Sequence, residues 1–347
     1  MCVFLSHSAR HQLEKNMSLE LGLIIGFSLC YGVILTIELI NIGLFTPVAI
    51  YERIKNRWIK SPSKASPVGI ASPIQKSPSV SVIVPAYNEE ATIIDTVRAL
   101  QAQDYDDLQI VVVNDASRDQ TLTLLRESFE LYPVDLEPSG SLSRTPVYGV
   151  FSSKILPSLT VIDKQRSGKG KADALNVGVG YALNELICTV DADSILDPDA
   201  LHLITEPFRR HSDQVVSGGT VRVGNGSRLP DLTTHRPRFS WNPLVLFQSL
   251  EYFKMSYIDR VVLSTFNSIY LVAGAFGVFK KSVVQELGGY RHDSLAEDLE
   301  LTLRIHRHFI ERGERYRISH VPNAVCWTEA PYNRSQLLRQ RIRWQGG

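Results

Sequence analysis

The residues best placed to do chemistry are carboxylates that close apolar runs. Leu186–Ser194 reads Leu-Ile-Cys-Thr-Val-Asp-Ala-Asp-Ser. A continuous apolar run bounded by polar residues is the pattern of a central parallel strand. Parallel sheets open their binding crevice at the carboxyl ends of their strands, where Asp191 and Asp193 stand. Residues i and i+2 of a strand share a face, so the two carboxylates can share one ligand. They repel each other unless a cation lies between them, and hard oxygen ligands suit Mg2+ or Mn2+. The other reading of this Asp-X-Asp is a cap for the helix after Pro198.

Further polar clusters sit at comparable places. Val80–Val84 is a strand pattern followed by Pro85-Ala86-Tyr87-Asn88-Glu89-Glu90, and Leu108–Val113 is followed by Asn114-Asp115-Ala116-Ser117. After a third strand at Val161–Asp163, a glycine- and lysine-rich loop (Gly168-Lys169-Gly170-Lys171) opens a helix. Backbone N–H groups and the helix dipole favour an anion there. The spacing is not that of a Walker loop, and a solvated basic loop is the alternative. Glu297-Asp298 begins a helix that buries Leu301, Ile305 and Ile310, and Ser335–Trp344 reads as a helix carrying Arg339, Gln340, Arg341, Arg343 and Trp344.

These clusters need a scaffold, and the periodicity supplies one. Ile93, Ile94, Val97 and Leu100 recur at helical spacing, as do Leu122 and Leu125 after Asp119 and Thr121. Strand–helix–strand–helix with short connections makes a parallel α/β sheet. Pro198–Phe208 is a helix, Val215–Val223 one or two strands broken at Gly218-Gly219, and Ile269–Phe279 a strand whose glycines let backbone approach something closely. Tyr316–Ser319 and Ala324–Thr328 read as two short strands, and Pro138–Pro146 as an insertion. Trp241–Arg260 is amphipathic, either packed on the domain or lying in a membrane interface.

The 347 residues suffice for one large or two modest domains of roughly 100–200 residues each. A net charge of +1 gives no global argument for nucleic acid, and none is expected as a partner. Cys2, Cys30, Cys188 and Cys326 are far apart, which predicts free thiols in a reducing compartment. Leu21–Ile37 carries no charge, and after Glu38 the apolar run resumes. A spanning helix needs about 20 apolar residues, so a transmembrane helix is expected over about 21–44. Arg10 and Lys15 precede it, while Arg53, Lys55, Arg57, Lys60 and Lys64 follow, which puts the C-terminal side in the cytoplasm. Residues 1–60 thus read as a tail and membrane anchor, and 61–79, rich in Ser and Pro, as a linker. Residues 80–347 read as the α/β domain, at the inner or plasma membrane.

Taken in order, the motifs are Val82-Ile83-Val84-Pro85-Ala86-Tyr87-Asn88-Glu89, Val113-Asn114-Asp115-Ala116-Ser117, Gly170-Lys171-Ala172-Asp173-Ala174-Leu175-Asn176, Asp191-Ala192-Asp193, Glu297-Asp298 and Gln340-Arg341-Ile342-Arg343-Trp344. The set resembles the family 2 inverting glycosyltransferases, in the membrane branch that includes cellulose, hyaluronan, chitin and poly-N-acetylglucosamine synthases. The resemblance covers about Ser79–Gly347. It implies a GT-A fold, a Rossmann-like mixed α/β domain that binds a nucleotide-diphosphate sugar.

It also implies roles. Pro85, Tyr87, Glu89 and Asp115 would line the nucleotide, with Asp115 and Glu89 hydrogen-bonding the uracil and ribose of UDP. Lys171 would meet the diphosphate, Asp193 would ligate Mg2+ or Mn2+, and Asp191 beside it would help bind the nucleotide sugar. Asp298 would be the general base that takes the acceptor hydroxyl's proton. Gln340, Arg341, Arg343 and Trp344 would contact the donor phosphates and the acceptor sugar, although Arg339–Arg343 can also be read as a cluster for anionic lipid.

The function implied is transfer from a UDP-sugar to a growing polysaccharide or lipid-linked acceptor, forming a β-linkage. The alternatives are a single transfer to a lipid carrier, or a non-catalytic nucleotide-sugar-binding relative. Ala296 stands where the family has threonine before Glu-Asp. The family's C-terminal membrane helices do not follow Trp344, so a truncated chain is expected.

Overall fold

A computed structural model describes Thr36, Leu39 and residues 43–52, 77–140, 142–143, 145–167, 170–226, 240–294 and 296–345. The chain divides into two compact units, Met1–Ser63 and Lys64–Gly347. In the first, residues 43–52 are helical. Most of the span expected over 21–44 lies outside the described residues, as does most of the 61–79 linker. No helix among the described residues is long and apolar enough to cross a membrane.

The second unit is built on a mixed sheet. Its elements run β1 (Val80–Ala86), α1 (Ile93–Gln101), β2 (Leu108–Asn114), α2 (Thr121–Ser128), β3 (Leu131–Val134), β4 (Val147–Ser153), β5 (Leu159–Lys164), α3 (Gly170–Tyr181), β6 (Leu186–Val190), β7 (Ile195–Leu196) and α4 (Ala200–Arg210). Then follow β8 (Gln214–Val223), α5 (Pro243–Lys254), a π-helical turn at Met255–Asp259, α6 (Arg260–Thr265), β9 (Phe276–Lys280), α7 (Lys281–Glu286), α8 (Glu297–Arg312), β10 (Arg317–Thr328) and α9 (Arg334–Gln345). The strand order is β3-β4-β5-β2-β1-β6-β9-β8-β10-β7. β5, β2, β1 and β6 are mutually parallel. β9 runs antiparallel between β6 and β8.

Alternation along the central strands sends side chains to opposite faces. Val82, Val84, Ile110, Val112, Cys188 and Val190 pack under α1, α2 and α4. Ile83, Val111, Val113 and Ile187 pack against α3, α7 and α8. Burial on both faces explains why these strands are near-continuous apolar runs.

Three sequence expectations are corrected. β8 runs unbroken through Gly218-Gly219, where a break was expected. A Cβ at Gly219 would come within 2.1 Å of the Phe276 ring and 3.1 Å of the Ala324 carbonyl, so the glycine admits a neighbouring ring and does not break the strand. Only Phe276–Lys280 of the segment Ile269–Phe279 enters the sheet. The two short strands expected at 316–328 are one strand, β10, with a register shift between His320 and Val325. The expected insertion at 138–146 links β3 to β4, and these two form an antiparallel edge that the sequence pattern did not announce.

Candidate functional site

Register aligns the carboxyl ends of the parallel strands. Ala86 pairs with Asn114, and Asn114 with Asp163, so the loops after β1, β2 and β5 emerge side by side. Asn88 and Ala116 take left-handed backbone, φ 57° and 56°, a conformation that asparagine tolerates and that costs alanine some strain. The turns they make are stitched together. The Asn88 amide donates to Ser117 Oγ at 3.0 Å, the Arg118 amide to Asn88 Oδ1 at 2.8 Å and the Glu89 amide to Thr121 Oγ1 at 2.8 Å. Pro85 and Glu89 are half-buried here, and Tyr87 is exposed.

Asp115 lies beneath these loops, almost wholly buried. One of its oxygens accepts from Lys164 Nζ, the other from Ser167 Oγ at 2.7 Å. The sequence reading missed Lys164. Its signal was a lysine closing an apolar strand just ahead of the glycine-rich loop. Gly168 and Lys169 of that loop lie outside the described residues.

Asp191 and Asp193 follow β6. Lys171, in the first turn of α3, donates to Asp191. Burial and then Asp191 push the Asp193 carboxyl up to about 6. Burial and then Asp193 push Glu89 up to about 7. Three carboxyl groups therefore crowd one another, while the neighbouring ammonium is taken by Asp191. Among the described residues no three His, Cys, Asp or Glu side chains are close enough to hold a metal by themselves. The donor set fits a hard divalent cation held by Asp193, with Asp191 beside it and the remaining positions left to a ligand's oxygens.

Antiparallel register brings the distant half of the site to these carboxylates. Val190 pairs with Phe276, so the chain leaving β6 lies beside the chain entering β9. The Gly274 carbonyl accepts from Lys171 Nζ at 3.4 Å, and the Gly274 amide donates to Asp298 Oδ2 at 3.0 Å. A Cβ at Gly274 would lie 3.2 Å from Asp298 Oδ2 and 3.4 Å from Lys171 Nζ. This is the close approach that the glycines of Ile269–Phe279 implied.

Asp298 is in the first turn of α8, and its Oδ1 accepts from the Leu299 amide at 2.9 Å. Glu297 Oε1 is 4.0 Å from Lys171 Nζ. Burial alone would lower the Lys171 pKa, but Asp191, Glu297 and Asp298 outweigh it and hold the ammonium above its ordinary value. Ala296, in place of threonine, precedes α8 without a side-chain cap.

Gln340, Arg341, Arg343 and Trp344 all lie on α9. Arg341 forms a two-pronged ion pair with Glu251 of α5, Nη1 to Oε1 at 2.7 Å, and its guanidinium lies 4.8 Å from the Trp344 ring centroid. Arg343 and Trp344 are exposed. Tyr252 of α5 follows Glu251 and is buried. Burial pushes its phenol up to about 12, and Arg341, Arg260 and Asp193 all act on it. Of the residues singled out in the sequence, the structure thus joins Lys171, Asp191 and Asp298 through direct contacts and Gly274, with Asp193 and Glu89 within electrostatic reach. Asp115 sits in a buried ion cluster, and the α9 residues form a separate arm.

Residues 144–347 match the family described as glycosyltransferase-like family 2, and residues 81–136 match glycosyl transferase family 2. The poly-beta-1,6-N-acetyl-D-glucosamine synthase of Staphylococcus epidermidis is 26% identical over 282 residues, covering 80% of this chain and 57% of that protein. The Staphylococcus aureus protein of the same name is 28% identical over 272 residues, covering 77% and 54%. The chain therefore spans a little over half the length of these curated relatives. Among solved structures, a mannosyltransferase from Pyrobaculum calidifontis in complex with GDP-Man and Mn2+ superposes with a TM-score of 0.54 at 24% identity, over 86% of this chain and 68% of that one. That likeness speaks to the fold, which is GT-A. With a family model matching well over half of its length, the chain belongs to the family 2 glycosyltransferases.

Proposed function

We propose that this chain carries an inverting glycosyltransferase site that moves a sugar from a UDP-sugar to a growing polysaccharide or lipid-linked acceptor, forming a β-glycosidic bond. The observation that carries the reading is the meeting at Gly274. Its carbonyl takes the lysine that faces the donor carboxylates, and its amide takes the carboxylate of Asp298. One residue, through the two peptide groups that flank it, thereby sets the spacing between a donor half and an acceptor half.

In this reading Asp298 accepts the proton of the acceptor hydroxyl as that oxygen forms its bond to the anomeric carbon. Both Asp298 oxygens already accept one backbone N–H, which orients the carboxylate and leaves lone pairs for the proton. The anomeric carbon–oxygen bond to UDP breaks from the opposite face, and its electron pair leaves with the diphosphate. Lys171 stands beside the departing charge, where a fixed ammonium in a half-buried crevice stabilises it. Pro85, Tyr87, Glu89 and Asp115 hold the nucleoside, and Arg341 and Arg343 turn to the phosphates when the donor is seated. Asp193, with Asp191 beside it, would hold Mg2+ or Mn2+, which supplies Lewis-acid neutralisation of the diphosphate.

The full protein is proposed to be membrane-anchored through the apolar segment 21–44, with this domain on the cytoplasmic side. The charge asymmetry around that segment supports the orientation. The relatives' names make UDP-N-acetylglucosamine the first donor to test. Membranes carrying the full-length protein should release UDP from it faster than from UDP-glucose or UDP-glucuronate. The product should show β-anomeric proton couplings by NMR. An α-linked product would rule out single displacement.

A further inference from the structure

The charged groups under the donor half extend beyond the loops that face a ligand. Lys164, the last residue of β5, has no exposed side-chain surface. Its ammonium holds two carboxylates, Asp115 and, at 2.8 Å, Asp173 Oδ2. The register explains the first contact, because Asn114 pairs with Asp163 and the next residues along each strand are Asp115 and Lys164. Asp173 comes from α3, and its oxygens also accept from Ser143 Oγ at 2.7 Å and Thr145 Oγ1 at 2.8 Å.

The segment between β3 and β4 is thus tied to Asp115 through two ion pairs. Buried lysines are rare unless paired. Here two carboxylates share one ammonium, and hydroxyl donors satisfy the remaining negative charge. Both oxygens of Asp115 already receive a donor, from Lys164 and from Ser167. Toward a ligand Asp115 can then only accept, through the lone pairs that remain.

We infer that Lys164 is a positioning residue for nucleobase choice. With Asp173, Ser143 and Thr145 it fixes Asp115 as an acceptor for the imide N–H of uracil, from beneath the site and without touching the nucleotide. The inference rests on the reading of Asp115 as the base-binding residue. Its chemistry is selective. Uracil presents N3–H to an acceptor, whereas cytosine presents a lone pair at N3, which an acceptor-only carboxylate opposes. Without Lys164, Asp115 would be a buried carboxylate with no cation beside it, and desolvation favours its protonated form whether or not Asp173 keeps its charge. A protonated Asp115 can donate to cytosine, so the preference for uracil should fade. A purely architectural ion cluster would move stability and leave the preference between bases alone.

The test is calorimetric titration of the full chain with UDP and with CDP. The proteins compared are the unaltered chain, Lys164→Met, the charge-balanced Lys164→Met/Asp173→Asn, and Thr145→Val, each checked by its thermal unfolding transition. Both Lys164 variants should raise the UDP dissociation constant by about tenfold or more, the worth of a charge-assisted hydrogen bond, and should shrink the UDP-over-CDP ratio. Thr145→Val should shift both in the same direction by less. A folded charge-balanced variant with the unaltered UDP affinity and the unaltered ratio would overturn the inference. If neither Lys164 variant folds, an unchanged ratio in Thr145→Val overturns it. An unaltered chain that binds UDP but does not prefer it to CDP would overturn the reading of Asp115, and the inference with it. No binding of either nucleotide would overturn the donor assignment as a whole.

Discussion

At the scale of single residues, Asp193 and Asp191 have the same chemistry and different surroundings. Asp191 is paired with Lys171. Among the described residues Asp193 has only Ser194 Oγ, at 3.3 Å, as a side-chain donor, and its carboxyl is pushed up by burial and by Asp191. A divalent cation relieves that crowding, so the two aspartates should differ on substitution. Asp193→Ala should abolish the dependence of UDP affinity on Mn2+, measured by titration with and without the metal. An affinity that still responds to Mn2+ would move the metal elsewhere. Lys171→Met should slow transfer by about a hundredfold, as loss of a preorganised donor at a developing charge does, with the fold intact by circular dichroism. A rate within about threefold of the unaltered chain, against that expectation, would remove Lys171 from the reaction.

At the scale of elements, the parallel half of the sheet was legible because each strand is buried on both faces and says so in its composition. The helices α1, α4 and α8 were legible from their apolar spacing, although Ile310, expected on the buried face of α8, is exposed. The antiparallel half was less so, and Gly218-Gly219 shows why. A glycine pair in an apolar run has the same appearance whether it breaks a strand or admits a ring, and only the partner, Phe276 from β9, decides. Gly219→Ala should therefore destabilise the domain by about 1–3 kcal/mol through overpacking, seen as a lower urea midpoint with an unchanged slope. A midpoint equal to that of the unaltered chain would mean that Phe276 has room to move.

The candidate site divides in the same way. The carboxylates and Lys171 stand at strand ends and helix starts, which the pattern locates. Lys164 and Gly274 act through contacts with residues 49 and 24 positions away, which no local pattern carries. The arm on α9 shows the converse. Its residues were conspicuous in the sequence, but the ion pair of Arg341 with Glu251 could not be foreseen from α9 alone.

At the scale of the whole molecule, burial ties the fold's stability to pH through a residue away from the chemistry. His320 on β10 is enclosed by the π-helical turn, and its Nε2 lies 2.8 Å from the Ser256 carbonyl. Burial, then the nearby charge of Arg260, lowers its pKa from 6.5 to about 3, against the smaller upward pull of the Ser256 and Gly218 backbones. The unfolded chain therefore binds a proton below about pH 6.5 that the folded chain refuses, so His320 favours the fold fully above that pH. This contribution is lost progressively as the pH falls toward 3. The urea midpoint should drop between pH 6.5 and 4.5, and His320→Gln should flatten that slope; an equal slope in both would assign the pH response to other groups.

The larger claim concerns how the sheet joins two halves of one proposed site, with Lys171, the partner of Asp191, and Asp298 on α8 meeting at Gly274. The most direct test is to measure UDP binding and sugar transfer on the same preparation of Asp298→Asn. Undiminished UDP affinity with transfer reduced by about three orders of magnitude or more is the predicted result. Transfer at the unaltered rate would contradict the account, and so would loss of UDP binding together with transfer.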